Sequence, residues 1–171
     1  KDSKDFTGFD MDLIRAIGKQ MGRDVEIKNM GFDALIPAIN SGNIDVVASG
    51  MSITEERKKA VTFSDPYYKA SQRLVTLADD TAFDDCKDAA SVEEVLKGLS
   101  ASDKIGGQQG TTAQYFVEGS DDWGFEGLPA EWVPYKSASL AVQDMINGNV
   151  KYVLIDAAPA ESITKAINAM Q

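Results

Sequence analysis

The sequence predicts an α/β fold in two lobes with mainly parallel sheets. Three observations carry that prediction. Segments with apolar residues every three or four positions alternate with short β-rich runs along the whole chain. One of those runs, "NIDVVASG", is almost continuously apolar, as a parallel strand covered on both faces must be. The order helix, Gly-Asn turn, apolar strand and small residues also occurs twice, in "ALIPAINSGNIDVVASG" and in "LAVQDMINGNVKYVLIDAA". Two such units joined near "PYYKASQRLV" give two lobes with a cleft, although α/β proteins also reuse this unit within one sheet. Ligands of open α/β sheets sit beyond the carboxyl ends of the strands.

The elements follow in order. "GFDMDLIRAIGKQMG" is a helix with Leu13, Ile17 and Met21 on one stripe and Gly22 as its stop. Asp10 and Asp12 lie two apart and point away from each other on that helix, so a capping role is expected of Asp10. "DVEIKNM" is a strand. "FDALIPAINSG" is a helix capped by Asp33, with Pro37 early enough to be tolerated and Gly42 at its end. "NIDVVASG" is the buried strand, a short helix covers about residues 54–59, and "AVTFS" is a further strand. "SQRLVTL" is extended. After an acidic loop, Ser91 and Glu94 form a capping-box pattern that opens "SVEEVLKG". "KIGGQQG" is a strand entering a Gly-rich turn, and "TTAQYFVEG" is a helix. "EWVPY" is a strand that Pro134 marks as edge-like. "SASLAVQDMINGN", "VKYVLID" and "AAPAESITKAINAM" are helix, strand and helix.

Composition narrows the function classes. The net charge of −10 comes without any basic stripe, which argues against nucleic acid as a partner. No apolar run approaches the roughly 20 residues needed to span a bilayer. No leader pattern opens the sequence, as expected of a mature or trimmed form. With no histidine, His-based triads and His-ligated zinc are excluded, and neither a metal nor a cofactor is expected. Cys86 sits in an acidic loop that disfavours a thiolate, and one cysteine forms no internal disulfide.

Four places carry candidate chemistry. "SGMSITEERKK" takes an apolar strand directly into a short charged helix through Ser49, Gly50, Met51 and Ser52. A Ser52–Glu55 capping box would start that helix at the strand end, where free N–H groups attract an anion. Arg57, one turn in, could grip a carboxylate in a bidentate pair, or belong with Lys58 and Lys59 to a solvated face. In "GGQQGTTAQYF", Gly106, Gly107 and Gly110 let a ligand approach the backbone, and Thr111 or Thr112 caps the next helix. The Lys-Ser/Thr of a P-loop is absent, so the choice lies between a small-anion site and a plain capped turn. Asp156 ends an apolar strand, where it could meet an ammonium group or cap the following helix. Phe32 could stack on a ligand or pack as a staple.

Taken in order, "TGFDMDLIRAIGKQMG", "FDALIPAINSGNIDVVASGMSITEERKKAVTFSDPYY", "QQGTTAQYF" and "YVLIDAAPA" closely resemble the extracytoplasmic solute-binding proteins of amino-acid ABC transporters. That resemblance covers nearly the whole chain and implies the type II periplasmic-binding fold. It implies that Arg57, with Ser52 and the backbone around Gly50, holds a ligand α-carboxylate. Thr112, with Gly110 and Thr111, would contact the same carboxylate from the second lobe. Asp156 would take the α-ammonium, Phe32 would stack over the side chain, and Gln108 would tune selectivity. The segment around Ala70 to Arg73 would be the first crossing between lobes. Closure about a hinge would be read by a membrane permease. A polar or uncharged amino acid is expected from Phe32 and Gln108. The location implied is periplasmic or extracellular, with a lipid anchor in the full-length form.

The family pattern also places a strand before "TGFDMDL" and a return to the first lobe after the last helix. Lobe 1 is therefore expected at residues 1–71, incomplete at both ends, and lobe 2 at residues 72–171. An unfilled sheet slot in lobe 1 would invite self-association, and amino acids would bind weakly or not at all unless the missing strands are supplied. Two other functions share this fold. A sensor or receptor module would carry flanking transmembrane or kinase sequence. A cyclohexadienyl dehydratase-like enzyme would need a further acid in the cleft, and product formed from arogenate or prephenate would reveal it.

Overall fold

The computed structural model describes residues 6–170. The first five residues of the expected lobe 1, and Gln171 at the end of the expected lobe 2, lie outside the described residues. The chain divides into two compact units, Lys1–Tyr68 and Lys69–Gln171.

Unit 2 is an α/β sandwich around one sheet. Its strands are β1 (Gln72–Val75), β2 (Lys104–Gln108), β3 (Glu131–Tyr135) and β4 (Tyr152–Asp156). They lie in the order β1-β4-β2-β3, with β2 parallel to both β3 and β4 and β1 antiparallel to β4. Pro134 does fall on the edge strand β3, where its missing N–H is tolerated. The apolar run of β4 is explained by its central place. Val153 and Ile155 pack on one face with Val142 and Met145 of the helix Ala138–Ile146 and Ala160 of the helix Ala157–Asn168. Tyr152 and Leu154 pack on the other with Leu96 of the helix Ala89–Lys97 and Val117 of the helix Thr112–Glu118. Alternate residues therefore serve two cores, and none can be polar until Asp156.

Two glycine expectations change here. Gly106 and Gly107 are buried and carry no ligand approach. A Cβ on Gly106 would meet the Tyr135 ring at 2.9 Å, and one on Gly107 would meet Trp132 at 2.3 Å. They are glycines because β2 passes under aromatic rings of β3. The capping box of Ala89–Lys97 is also shifted: Asp88 accepts from the Ser91 N–H, and the Ser91 side chain accepts from the Asp88 N–H. Asp88 outcompetes Ser91 as the cap because it stands one turn earlier in the same reciprocal geometry.

Among the described residues of unit 1, helices are the only regular elements, and most of the chain between them is irregular. Its helices are α1 (Phe9–Gln20), α2 (Leu35–Asn40) and the single turn α3 (Glu55–Lys58), and those of unit 2 named above follow in order as α4 to α7. The expected strands "DVEIKNM", "NIDVVASG" and "AVTFS" form no ladder. Leu35 is the one fully buried apolar side chain among the described residues of this unit, and Val46 stays 55% exposed. A ladder is a property of two chains side by side, and none of these segments has a paired neighbour here, so strand propensity alone leaves them irregular. Asp33 does not cap α2. It lies inside a 3-10 turn, Phe32–Ala34, and Ala34 precedes α2 without a side-chain cap.

Candidate functional site

In unit 1 the chain leaves residue 48 through Ser49, Gly50, Met51 and Ser52. Ser49 and Gly50 are exposed, and Met51 and Ser52 are half-buried. Gly50 has φ +56°, a left-handed conformation that glycine adopts without strain. Its N–H donates to the Asp10 carboxylate at 2.6 Å, and the Tyr67 hydroxyl donates to the other oxygen at 3.0 Å. Burial and the Asp10 carboxylate push the Tyr67 phenol up to about 12. Asp10 thus fastens the turn at Gly50 to the end of unit 1. It makes no cap on α1, whose N-cap position is Gly8 without a side-chain bond.

The short helix α3 is capped by Thr54, not Ser52. The Thr54 side chain accepts from the Arg57 N–H at 3.0 Å, because Thr54 immediately precedes the turn and is the residue with extended backbone there. That bond uses a donor that an anion at the helix start would need. Arg57 is no solvated surface charge. It is 4% exposed, donates from Nη1 to the Ser52 carbonyl at 2.7 Å, and lies with Cζ 5.5 Å from the centroid of the Phe32 ring. Lys58, beside it, pairs with Glu55 in solvent. The structure therefore gathers Phe32, Ser52 and Arg57, with Gly50 held nearby in sequence by Asp10.

In unit 2 the turn after β2 brings Gln108, Gly110, Thr111 and Thr112 together. Gly110 has φ +77°, and its N–H donates to Gln114 Oε1 at 2.9 Å. Thr111 occupies the N-cap position of α5 but makes no side-chain cap. Its hydroxyl donates back to the Gln108 carbonyl at 2.7 Å, closing the turn. Gln108 reaches the Lys136 carbonyl at 3.4 Å.

Asp156 stands where β4 becomes α7. It occupies the N-cap position of α7 without a side-chain cap bond, so capping does not account for it. Its carboxylate accepts instead from Gln72 Nε2, which also donates to Thr112 Oγ1 at 3.2 Å. Burial raises the Asp156 carboxyl above the usual carboxylate range, and the Gln72 bond offsets only part of this. A carboxylate held in that condition gains from a cation.

Sequence reasoning did not single out Gln72, Asp10 as a fastener, or Tyr67. Gln72 faces Asp156 across the antiparallel β1–β4 pair, and Tyr67 meets Asp10 from 57 positions away. Neither partnership leaves a mark at short range. The one available signal was a polar residue heading an otherwise apolar strand at "SQRLV".

The chain is similar to known proteins. The arginine-binding extracellular protein ArtP of Bacillus subtilis is 36% identical over 126 residues, which is 74% of this chain and 45% of that protein. ABC transporter arginine-binding protein 1 of Escherichia coli is 33% identical over 156 residues, 91% of this chain and 56% of that protein. Among solved structures, an ancestral arginine-binding protein bound to arginine superposes with a TM-score of 0.78 at 39% identity, over 97% of this chain and 67% of that one. An ancestral amino acid-binding protein, described as a precursor of cyclohexadienyl dehydratase, gives 0.79 at 32% identity, over 97% and 68%. The chain spans about half the length of the curated relatives it matches. The fold is that of the type II periplasmic-binding proteins. The family model for bacterial extracellular solute-binding proteins, family 3, matches residues 1–169, and the chain belongs to that family.

Proposed function

We propose that this chain carries the ligand-contacting residues of an amino-acid receptor that serves an ABC transporter permease. One observation supports this above the others: each unit holds one charged end suited to a zwitterion. Unit 1 offers a buried guanidinium, Arg57, beside Ser52 and the Gly50 turn. Unit 2 offers a partly desolvated carboxylate, Asp156, beside Thr112 and the turn at Gly110 and Thr111. An α-amino acid carries the complementary pair. In this reading Phe32 covers the ligand side chain and Gln108 tunes its choice, with Ser49 and Met51 lining the approach.

The relatives named above are binding proteins, and a binding role without catalysis is the reading for this chain. Three of them are named for arginine, which makes a polar amino acid the expected ligand and L-arginine the first probe. Among the described residues no helix is long and apolar enough to cross a membrane. The family is extracellular, and a lipid anchor on the full-length protein remains part of the proposal. Self-association through unit 1 also belongs to it, supported by its unladdered extended segments and exposed Val46. Sedimentation velocity showing a concentration-independent monomer would remove that part.

A titration of the twenty amino acids into the chain and into the full-length protein tests the main reading. Arg57→Ala should weaken the best ligand by about 1.5–3 kcal/mol, the worth of a hydrogen bond to a charged group. Survival of binding within about threefold would sink the carboxylate assignment. Asp156→Asn should cost similarly for ligands with an α-ammonium.

A further inference from the structure

Gln72 is the first residue of β1 and stands directly opposite Asp156, the last residue of β4. Side chains directly opposed in an antiparallel pair lie on the same face and touch. Its amide nitrogen has two protons, and both are spent: one on Thr112 Oγ1 at 3.2 Å, the other on the Asp156 carboxylate. The opposite amide orientation would set oxygen against carboxylate, so the acceptors fix which way the group points. Three elements, β1, α5 and β4, thereby converge on one side chain.

The nearby titratable residues on these elements and on α7 have other partners. Arg73 donates to Ser71 Oγ and to the Gln72 carbonyl, Glu161 pairs with Lys165, and Glu118 accepts from Gln114. The hydrogen bond from Gln72 is what opposes the burial of the Asp156 charge.

We propose that Gln72 is a positioning residue of the ammonium half-site, holding the Asp156 carboxylate and the Thr112 hydroxyl in one array until a ligand ammonium displaces its amide from Asp156. The proposal rests on the assignment of Asp156 made under Proposed function. Its chemistry is an exchange of one donor for a stronger one. A neutral amide keeps the carboxylate solvated in the empty site, and a charged donor replaces it with a shorter, stronger bond.

The test has a part that needs no ligand. Carboxyl 13C NMR titration of the chain reads the Asp156 midpoint in the wild type, in Gln72→Leu and in Gln72→Lys. Gln72→Leu should raise the midpoint, and Gln72→Lys, which brings a tethered ammonium, should lower it. An Asp156 midpoint unmoved by both substitutions overturns the proposal, whether or not any amino acid binds. The second part uses L-arginine and 5-guanidinopentanoic acid, the same molecule without its α-ammonium. Gln72→Leu should tighten L-arginine by about 3- to 30-fold, because the ammonium no longer has a bond to displace, and change the deaminated acid by less than about twofold, with no effect in an Asp156→Asn background; a loss instead of a gain for L-arginine overturns the proposal. Equal losses for both ligands would reduce Gln72 to a structural residue and overturn the proposal. Failure of L-arginine and every other amino acid to bind either the chain or the full-length protein would instead defeat the functional reading, with the Asp156 midpoint still deciding the role of Gln72.

Discussion

Gly107→Ala puts the packing of unit 2 to a direct test. A Cβ at this position would lie 2.3 Å from Trp132 Cη2, 3.0 Å from Cζ3 and 2.8 Å from the Leu154 carbonyl oxygen. The indole can yield, since its Nε1 is buried without a hydrogen-bond partner and packing alone holds the ring. The Leu154 carbonyl cannot yield so easily, because it belongs to β4, the central neighbour of β2. Overpacking of this kind costs about 1–3 kcal/mol, and a clash with both ring and backbone belongs at the upper end. Replacing a strand glycine returns about 0.5–1 kcal/mol of chain entropy. The expected net loss is therefore about 2 kcal/mol, or roughly 8–16 °C in the unfolding temperature of a unit this size. Both tryptophans, Trp123 and Trp132, belong to unit 2, so fluorescence-detected unfolding in urea or heat reports this unit alone. Gly98→Ala is the matched control. Its φ is −79° and its nearest atom is the Val95 carbonyl at 3.2 Å, which need give by only a few tenths of an ångström, so its loss should be clearly smaller than that of Gly107→Ala. A Gly107→Ala protein within about 0.5 kcal/mol of the wild type would refute the close passage of β2 under Trp132.

Two further substitutions address the acid limb and the aim of Arg57. The Asp103 carboxyl is held down at about 2 by the Ser100 N–H and hydroxyl and by Lys151. Its contribution is therefore present above the ordinary carboxylate pKa and lost as pH falls from about 4 to about 2, so Asp103→Asn should flatten the acid limb of unit 2 unfolding. An identical acid slope in the variant would count against it. Thr54→Ala removes the side-chain cap of α3 and should cost about 0.5–2 kcal/mol locally. Hydrogen exchange of residues 55–58 should quicken, and unchanged protection there would show that Thr54 does not hold the turn.

What the sequence revealed, and what it hid, divides by the range of the interaction. The alternation of β2, β3 and β4 with helices was legible, most clearly at β4, because a strand covered on both faces must be apolar, and "YVLI" is. Arg57 was legible as a candidate because a strand end followed at once by a short charged turn is a local pattern. Its burial was not, since the Ser52 carbonyl and the Phe32 ring reach it through folding. The glycines show the same limit from the other side. "GGQQG" reads as a loop that admits a ligand, but Gly106 and Gly107 answer to Tyr135 and Trp132, residues of a strand more than twenty positions away, and only Gly110 answers to the turn. In unit 1 the apolar runs "NIDVVASG" and "DVEIKNM" carry strand propensity without a ladder, because propensity sets what a segment can pair as and not whether a partner lies beside it. The candidate site follows the same rule. Arg57 and Asp156 were visible as charges in unusual places, while Gln72, which donates to Asp156, and Asp10 and Tyr67, which meet beside the Gly50 turn, became visible only when segments distant in sequence were brought together. A charge at the end of an apolar run interrupts its local pattern, whereas a side chain that bonds to it from another strand need only be polar and correctly opposed.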